Sequence, residues 1–177
     1  MNAAIADIER VFEELEGRHL GKYRGLVTAN DDPLKQGRIE VKVPAVLGQK
    51  TLWALPCVAY AGPDVGLLML PPVGASVWVE FEAGDRSHPI WAGCFWAEGE
   101  LPADADPQTA VLRTPGATLR ISHDGVVEIE TRAGTKLVLS GSEIKLEAPA
   151  INQSANGGAS GLSAGGFEAQ NGAFKVV

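Results

Sequence analysis

The sequence predicts a mostly β protein. An N-terminal helix leads into a small five-stranded barrel of the OB type, and then into short strands that must associate with other copies to bury their apolar side. Three observations carry this expectation. Apolar residues alternate with polar ones at period two through most of residues 22–149. Five such runs fall within roughly 75 residues, the density of a small Greek-key barrel. Helical spacing is confined to residues 3–20.

In the first segment Ile5, Ile8, Val11, Phe12 and Leu15 recur at i, i+3, i+4 and i+7, with acids on the opposite face. Gly17 and Gly21 mark the end of this helix, so residues 1–21 form one unit. The stripe is narrow and needs a partner. Ile8, Val11, Phe12 and Leu15 are the docking candidates, against the chain's own barrel or a neighbouring subunit.

Residues 22–96 hold the barrel. "KYRGLVTAN" meets the turn "DDPLKQG", where Asp31, Asp32, Pro33 and Gly37 supply turn chemistry. "RIEVKVP" puts Ile39, Val41 and Val43 on one face, and "LWALPCVAY", "ASVWVEFEAG" and "PIWAGCFW" complete the set. The long connection "AGPDVGLLMLPPVG" holds an apolar knot of Leu67, Leu68, Met69 and Leu70. An SH3-like barrel competes with the OB type, and strand spacing does not separate them. Acidic, proline-containing residues 97–110 read as a linker.

Residues 111–177 pose the main question. Leu119, Ile121, Val127, Ile129, Leu137, Leu139, Ile144 and Leu146 each sit between polar neighbours in "GATLRISHDGVVEIETRAGTKLVLSGSEIKLEAP". No second layer remains in the chain to cover them. Self-association is the economical solution, with Arg120, Glu128, Glu130, Lys136, Lys145 and Glu147 facing water; the alternative is an ordinary second β domain closed by its own tail. Glycines at 116, 125, 134 and 141 mark a weak strand-plus-turn repeat. Between Leu139 and Ile144 the alternation slips by one at "SGSE", which suits a corner to a new face. Residues 150–177 are rich in Gly and Ala, with Glu168 and Lys175 as their charges. They are expected to form the final strands rather than a free linker.

A net charge of −7 argues against a general nucleic-acid or anionic-membrane binder. OB barrels often hold single strands, and Lys22, Tyr23, Arg24, Arg38 and Lys42 come nearest to a basic, aromatic face. Cys57 and Cys94 lie in apolar runs and read as buried thiols of a reducing compartment. No apolar run reaches membrane-span length, and the start lacks a basic-then-apolar signal. Synthesis in the cytoplasm is expected. Ser122, His123 and Asp124 are adjacent, so they cannot align as nucleophile, base and orienter. Asp85, Ser87 and His88 read as a capped turn, and His19 as a surface residue. The scattered histidines and cysteines show no metal-ligand spacing, so no cofactor, metal or enzyme activity is expected.

Two longer motifs, "GKYRGLVTANDDPLKQGRIEVKVP" from Gly21 to Pro44 and "PVGASVWVEFEAGDRSHPIWAG" from Pro72 to Gly93, carry a resemblance. Together with the later "GATLRISHDGVVEIET", the chain resembles the phage baseplate assembly protein V family. That family includes the spike barrels of contractile tails and injection systems and is similar to the valine-glycine repeat protein of type VI secretion. The resemblance implies an OB barrel followed by a trimeric, intertwined β-prism: a homotrimeric central spike inside a virion-like or injection particle. Its barrel would sit in the baseplate hub, and its prism would meet the target membrane only during injection. Some spikes of the family finish with a His-x-His metal site, whereas the last histidine here is His123. The resemblance therefore implies a separate tip protein of the PAAR repeat type, docking on Phe174, Val176 and Val177.

Overall fold

The computed structural model describes residues 12, 15–170 and 173–176. The chain divides between Leu101 and Pro102 into two compact units. In the first, β1 (Tyr23–Ala29), β2 (Ile39–Lys42), a one-turn α1 (Pro44–Leu47) and β3 (Thr51–Pro56) are followed by a small hairpin of β4 (Ala61–Gly62) and β5 (Val65–Gly66). Then come β6 (Ser76–Phe81), a 3-10 turn at Glu82–Gly84, and β7 (Pro89–Cys94). The strands close in the order β1-β2-β3-β7-β6, with β6 pairing back onto β1.

One pairing identifies the barrel type. β3 and β7 run parallel, with Leu55 opposite Ile90 and Pro56 opposite Trp91, while every other barrel pair is antiparallel. This closure is the OB arrangement. The alternation seen in the sequence becomes the inside of the barrel. Val27, Ile39, Val41, Val43, Ala54, Val77, Val79, Phe81 and Trp91 are buried in one core. Gly25 of β1 lies so close to β6 that a Cβ there would meet Val79 Cγ2 at 2.9 Å.

At the N-terminal end Phe12 and Leu15 are helical, and the chain turns at Glu16 and Gly17 (φ +80°) before running extended. The helix therefore ends by Glu16, earlier than Leu20, because Gly17 takes a left-handed conformation. The extended exit is pinned: the His19 amide donates to Gly84 O at 2.9 Å. Gly84 (φ +81°) admits this approach, since a Cβ would stand 2.8 Å from Arg18 Cβ. His19 is half-buried, not a surface residue, and contacts the Tyr23 and Phe81 rings with centroids at 6.1 and 5.8 Å.

The second unit is two antiparallel meanders. β8 (Thr109–Arg113), β9 (Ala117–Ser122), β10 (Val127–Thr131), β11 (Lys136–Leu139) and β12 (Ile144–Glu147) form one sheet. β13 (Ala150–Ala155), β14 (Gly158–Ser163), β15 (Gly166–Ala169) and β16 (Phe174–Val176) form the other. The Gly/Ala-rich tail is thus stranded. Within one chain each of the two sheets pairs as an antiparallel meander. The linker is also shorter than residues 97–110: Thr109 and Ala110 already belong to β8, and Thr109 is capped by Asp106.

Candidate interaction surfaces

Register decides which side chains share a face. Leu112, Leu119, Ile129, Leu137 and Leu146 stand directly across from one another in successive strands, and so do Ala110, Ile121, Val127, Leu139 and Ile144. All eight residues singled out in the sequence lie on this one face. Ala110 and Leu112 join it, hidden at first by the acidic stretch before them. Among the described residues no layer covers the face: Leu112, Ile121, Ile129, Leu139, Ile144 and Leu146 are 37–74% exposed. The slip at "SGSE" is not a corner. Leu139 and Ile144 pair across a four-residue loop in which the Ser140 amide donates to Glu143 O. A loop of even length needs opposite parity on its two sides to keep both strands facing the same way.

The opposite face is a lattice of charges. Glu128 accepts from Lys136 Nζ at 2.7 Å and from Arg120 Nη1 at 3.2 Å, and Arg120 also lies 3.7 Å from Glu130. Lys136, then Arg120, holds the Glu128 carboxyl below its ordinary range. Asp104, from the acidic stretch, accepts from Arg113 Nη1 at 2.9 Å and from Arg120 Nη2 at 3.2 Å. These two guanidiniums hold its carboxyl well below the usual carboxylate range. The charges are therefore paired across strands, which stiffens the sheet more than a set of singly solvated side chains would.

In the four-stranded sheet Ile151, Leu162, Phe167 and Val176 form a cross-strand row. Phe174 shares their face, its ring meeting Phe167 edge-on at 6.4 Å. Phe174 and Val176 are both more than half exposed. Val177 lies outside the described residues. Gly161 is a close-approach position, where a Cβ would stand 3.1 Å from Asn152 Oδ1.

On the barrel, the turn opener "NDDP" conceals a structural anchor. Asp32 is buried and receives Arg38 Nη2 at 2.7 Å, Arg38 Nε at 3.1 Å, and the amides of Leu34 and Gln36 at 2.9 and 2.7 Å. The Arg38 guanidinium, aided by these amides, holds its carboxyl well below the ordinary range. The residues weighed as a basic, aromatic face do not form one. Arg38 is spent on Asp32, Lys22 pairs with Glu80, and Lys42 donates to Gln49. Tyr23 packs against the core, while Arg24 points outward onto the Trp78 and Phe95 rings at 5.7 and 5.2 Å.

One further sequence expectation is corrected. Cys57 and Cys94 are both exposed, because each sits where its strand leaves the barrel wall. Trp91 is in the core, but Trp96, beyond the end of β7, is 66% exposed. The apolar knot is likewise only partly buried: Leu70 packs on the core, whereas Leu67, Leu68 and Met69 are exposed.

The residues tested for chemistry serve turns. Asp85 accepts from the Ser87 amide at 2.8 Å and contacts His88 Nδ1 at 3.1 Å. Ser122 bonds to Asp124 and closes the β9–β10 turn with Val126. Among the described residues no group of three His, Cys, Asp or Glu side chains is disposed to hold a metal, and no helix is long and apolar enough to cross a membrane. Residues 23–96, the closed barrel, match the family described as the type VI secretion system/phage-baseplate injector OB domain. No curated protein matches the chain.

Proposed function

The barrel belongs to the baseplate assembly protein V family of injector OB domains, and from that premise we propose that the chain is the homotrimeric central spike of a contractile injection particle. The family is a structural baseplate component. What supports the finer reading is the uncovered face of ten ladder positions, Ala110 to Leu146, backed by a paired-charge face. Covering the exposed half of one such side chain contributes about 1 kcal/mol. Association costs about 4–15 kcal/mol in lost freedom, so the whole face must be used. Three copies turning these faces inward would make a prism of three sheets with charges outside. Leu119, Ile121, Val127, Ile129, Leu137, Leu139, Ile144 and Leu146 are its interface.

The role is mechanical. A stiff rod on a three-fold platform transmits the thrust of a contracting tail, and bending it would break many ladder hydrogen bonds together. Phe174 and Val176, on the edge strand β16, are the proposed contact for a PAAR-type tip protein. The helical stripe of Phe12 and Leu15, with Ile8 and Val11 outside the described residues, docks on the hub or a neighbouring subunit. The alternative of a single-strand-binding OB module is disfavoured by the neutralised cations Lys22 and Arg38.

An epitope inserted at Gly141, in the β11–β12 loop, tests the spike role in purified particles. Gold label confined to the distal pole of the baseplate is expected. Particles free of label, with all the protein elsewhere, would overturn it. Truncation after Gln170 should abolish capture of the tip protein in a pull-down and leave the number of chains in the assembly unchanged; undiminished capture contradicts the tip contact.

A further inference from the structure

We infer that a groove beside α1 seats the acidic N-terminal segment of a neighbouring copy, so that the barrels are strapped head to tail. The inference rests on the trimeric reading above and names the seat of the helix. The groove, of about 340 Å³, is lined by Val46, Leu47, Leu52, Lys50, Arg86 and Ser87. Val46, Leu47 and Leu52 are half-buried and form an apolar floor, while Lys50 and Arg86 stand exposed on the rim. Neither cation has an ion-pair partner among the described residues. The rim is therefore cationic and unsatisfied, unlike Arg38, Arg113 and Arg120, which are all paired.

The chain supplies the complementary element. From Asp7 to Glu16 the sequence carries Asp7, Glu9, Glu13, Glu14 and Glu16 against Arg10. Phe12 and Leu15, on the last helical turn, are 70% and 47% exposed. Residues 1–11 precede that turn outside the described part, long enough to reach across a neighbour. A larger apolar groove, about 560 Å³, lies under the β4–β5 hairpin and offers Leu67, Leu68 and Pro56. Its rim, however, carries Asp31, Asp64 and a Lys35 already paired with Asp31. It repels an acidic segment, and the groove beside α1 attracts one. Charge decides between them.

The exposure of Phe12 and Leu15 favours a neighbour over the chain's own barrel, although the pinned exit lies beside its own groove. The His19 amide is fixed to Gly84, and Glu16 to His19 line a hollow with Gly84 to Ser87. Arg86 and Ser87 border both this hollow and the groove. Phe12 thus stands close in sequence to the pin and is still uncovered by its own barrel. One stripe and one groove per copy make a heterologous contact, which closes in a ring when the rotation is three-fold.

The test replaces Phe12 in the full chain by photoreactive benzoylphenylalanine. After irradiation an adduct of twice the chain mass is expected on a denaturing gel, with cross-linked peptides mapping to residues 44–52 and 86–87. Lys50→Glu with Arg86→Glu should lower the yield roughly fivefold, equivalent to about 1 kcal/mol of lost pairing, with the oligomeric mass unchanged. Cross-links within one chain, or to the Leu67–Leu68 groove, in a protein of trimeric mass overturn this inference alone. A monomeric mass overturns the trimeric reading as well.

Discussion

The barrel and the C-terminal meanders are built from the same alternating pattern and end in opposite conditions. In the barrel the sheet curls until its apolar face meets itself, and side chains such as Ile39, Val41 and Val77 are completely buried. In residues 102–177 the sheets stay open, and no described residue is buried. Both pair each strand with its neighbours in regular ladders, but only the barrel is free of open edges. Closure, not strand formation, is what separates a unit that buries its own apolar face from one that leaves it open. Trp53, Trp78, Trp91 and Trp96 all lie in the barrel segment, so tryptophan fluorescence follows that unit alone.

The largest effect is expected from Ile129→Asp or Leu137→Asp. Either would place an unpaired charge on the shared face of each copy, at a cost of several kcal/mol apiece. Light scattering should show the assembly lost while barrel fluorescence is retained. An intact assembly would break the contrast between the two regions.

Ile39→Ala should act the other way. A cavity in a closed core costs about 2–5 kcal/mol. Denaturant titration followed by tryptophan fluorescence should show the barrel weakened, with the association of residues 102–177 unaffected at native conditions.

A smaller effect is expected at acid pH. The folded pKa of Asp32 lies below its unfolded value of about 3.9, lowered chiefly by Arg38. Its contribution is therefore fully present above that pH and is lost as pH falls toward the folded pKa. Barrel stability should decline between about pH 5 and pH 2. Asp32→Asn should be less stable at neutral pH and flatten that decline. An unchanged slope would show that the anchor does not carry the acid dependence.

Glu128→Gln should be the mildest. Paired with Lys136 and Arg120 and only 21% exposed at its side chain, it is expected to cost about 0.2–1 kcal/mol, diminishing with added salt. Chemical denaturation at two ionic strengths measures it.

Much of this architecture is legible in the residues. "RIEVKVP" and "ASVWVEFEAG" alternate because one side of each strand enters a core, and Ile39, Val41, Val77 and Val79 are found there. The eight apolar positions from Leu119 to Leu146 share a face because strand parity is a local property. What cannot be read is long-range. The parallel β3–β7 pairing leaves no trace in local pattern, so OB and SH3-like barrels look alike. The loop parity at "SGSE" is likewise invisible to alternation. Cys57 and Cys94 differ from expectation because an apolar neighbourhood in sequence does not reveal where a strand leaves the wall. Asp32 reads as a turn residue because its partner Arg38 arrives only when the loop closes.

The central claim, that the open face of residues 102–177 is covered by other copies of the chain, is tested most directly by sedimentation equilibrium of the full protein at micromolar concentration. One chain has a mass of 18.6 kDa. The account predicts a species of about three times that mass, as a closed three-fold assembly requires. A single species at the mass of one chain would contradict it.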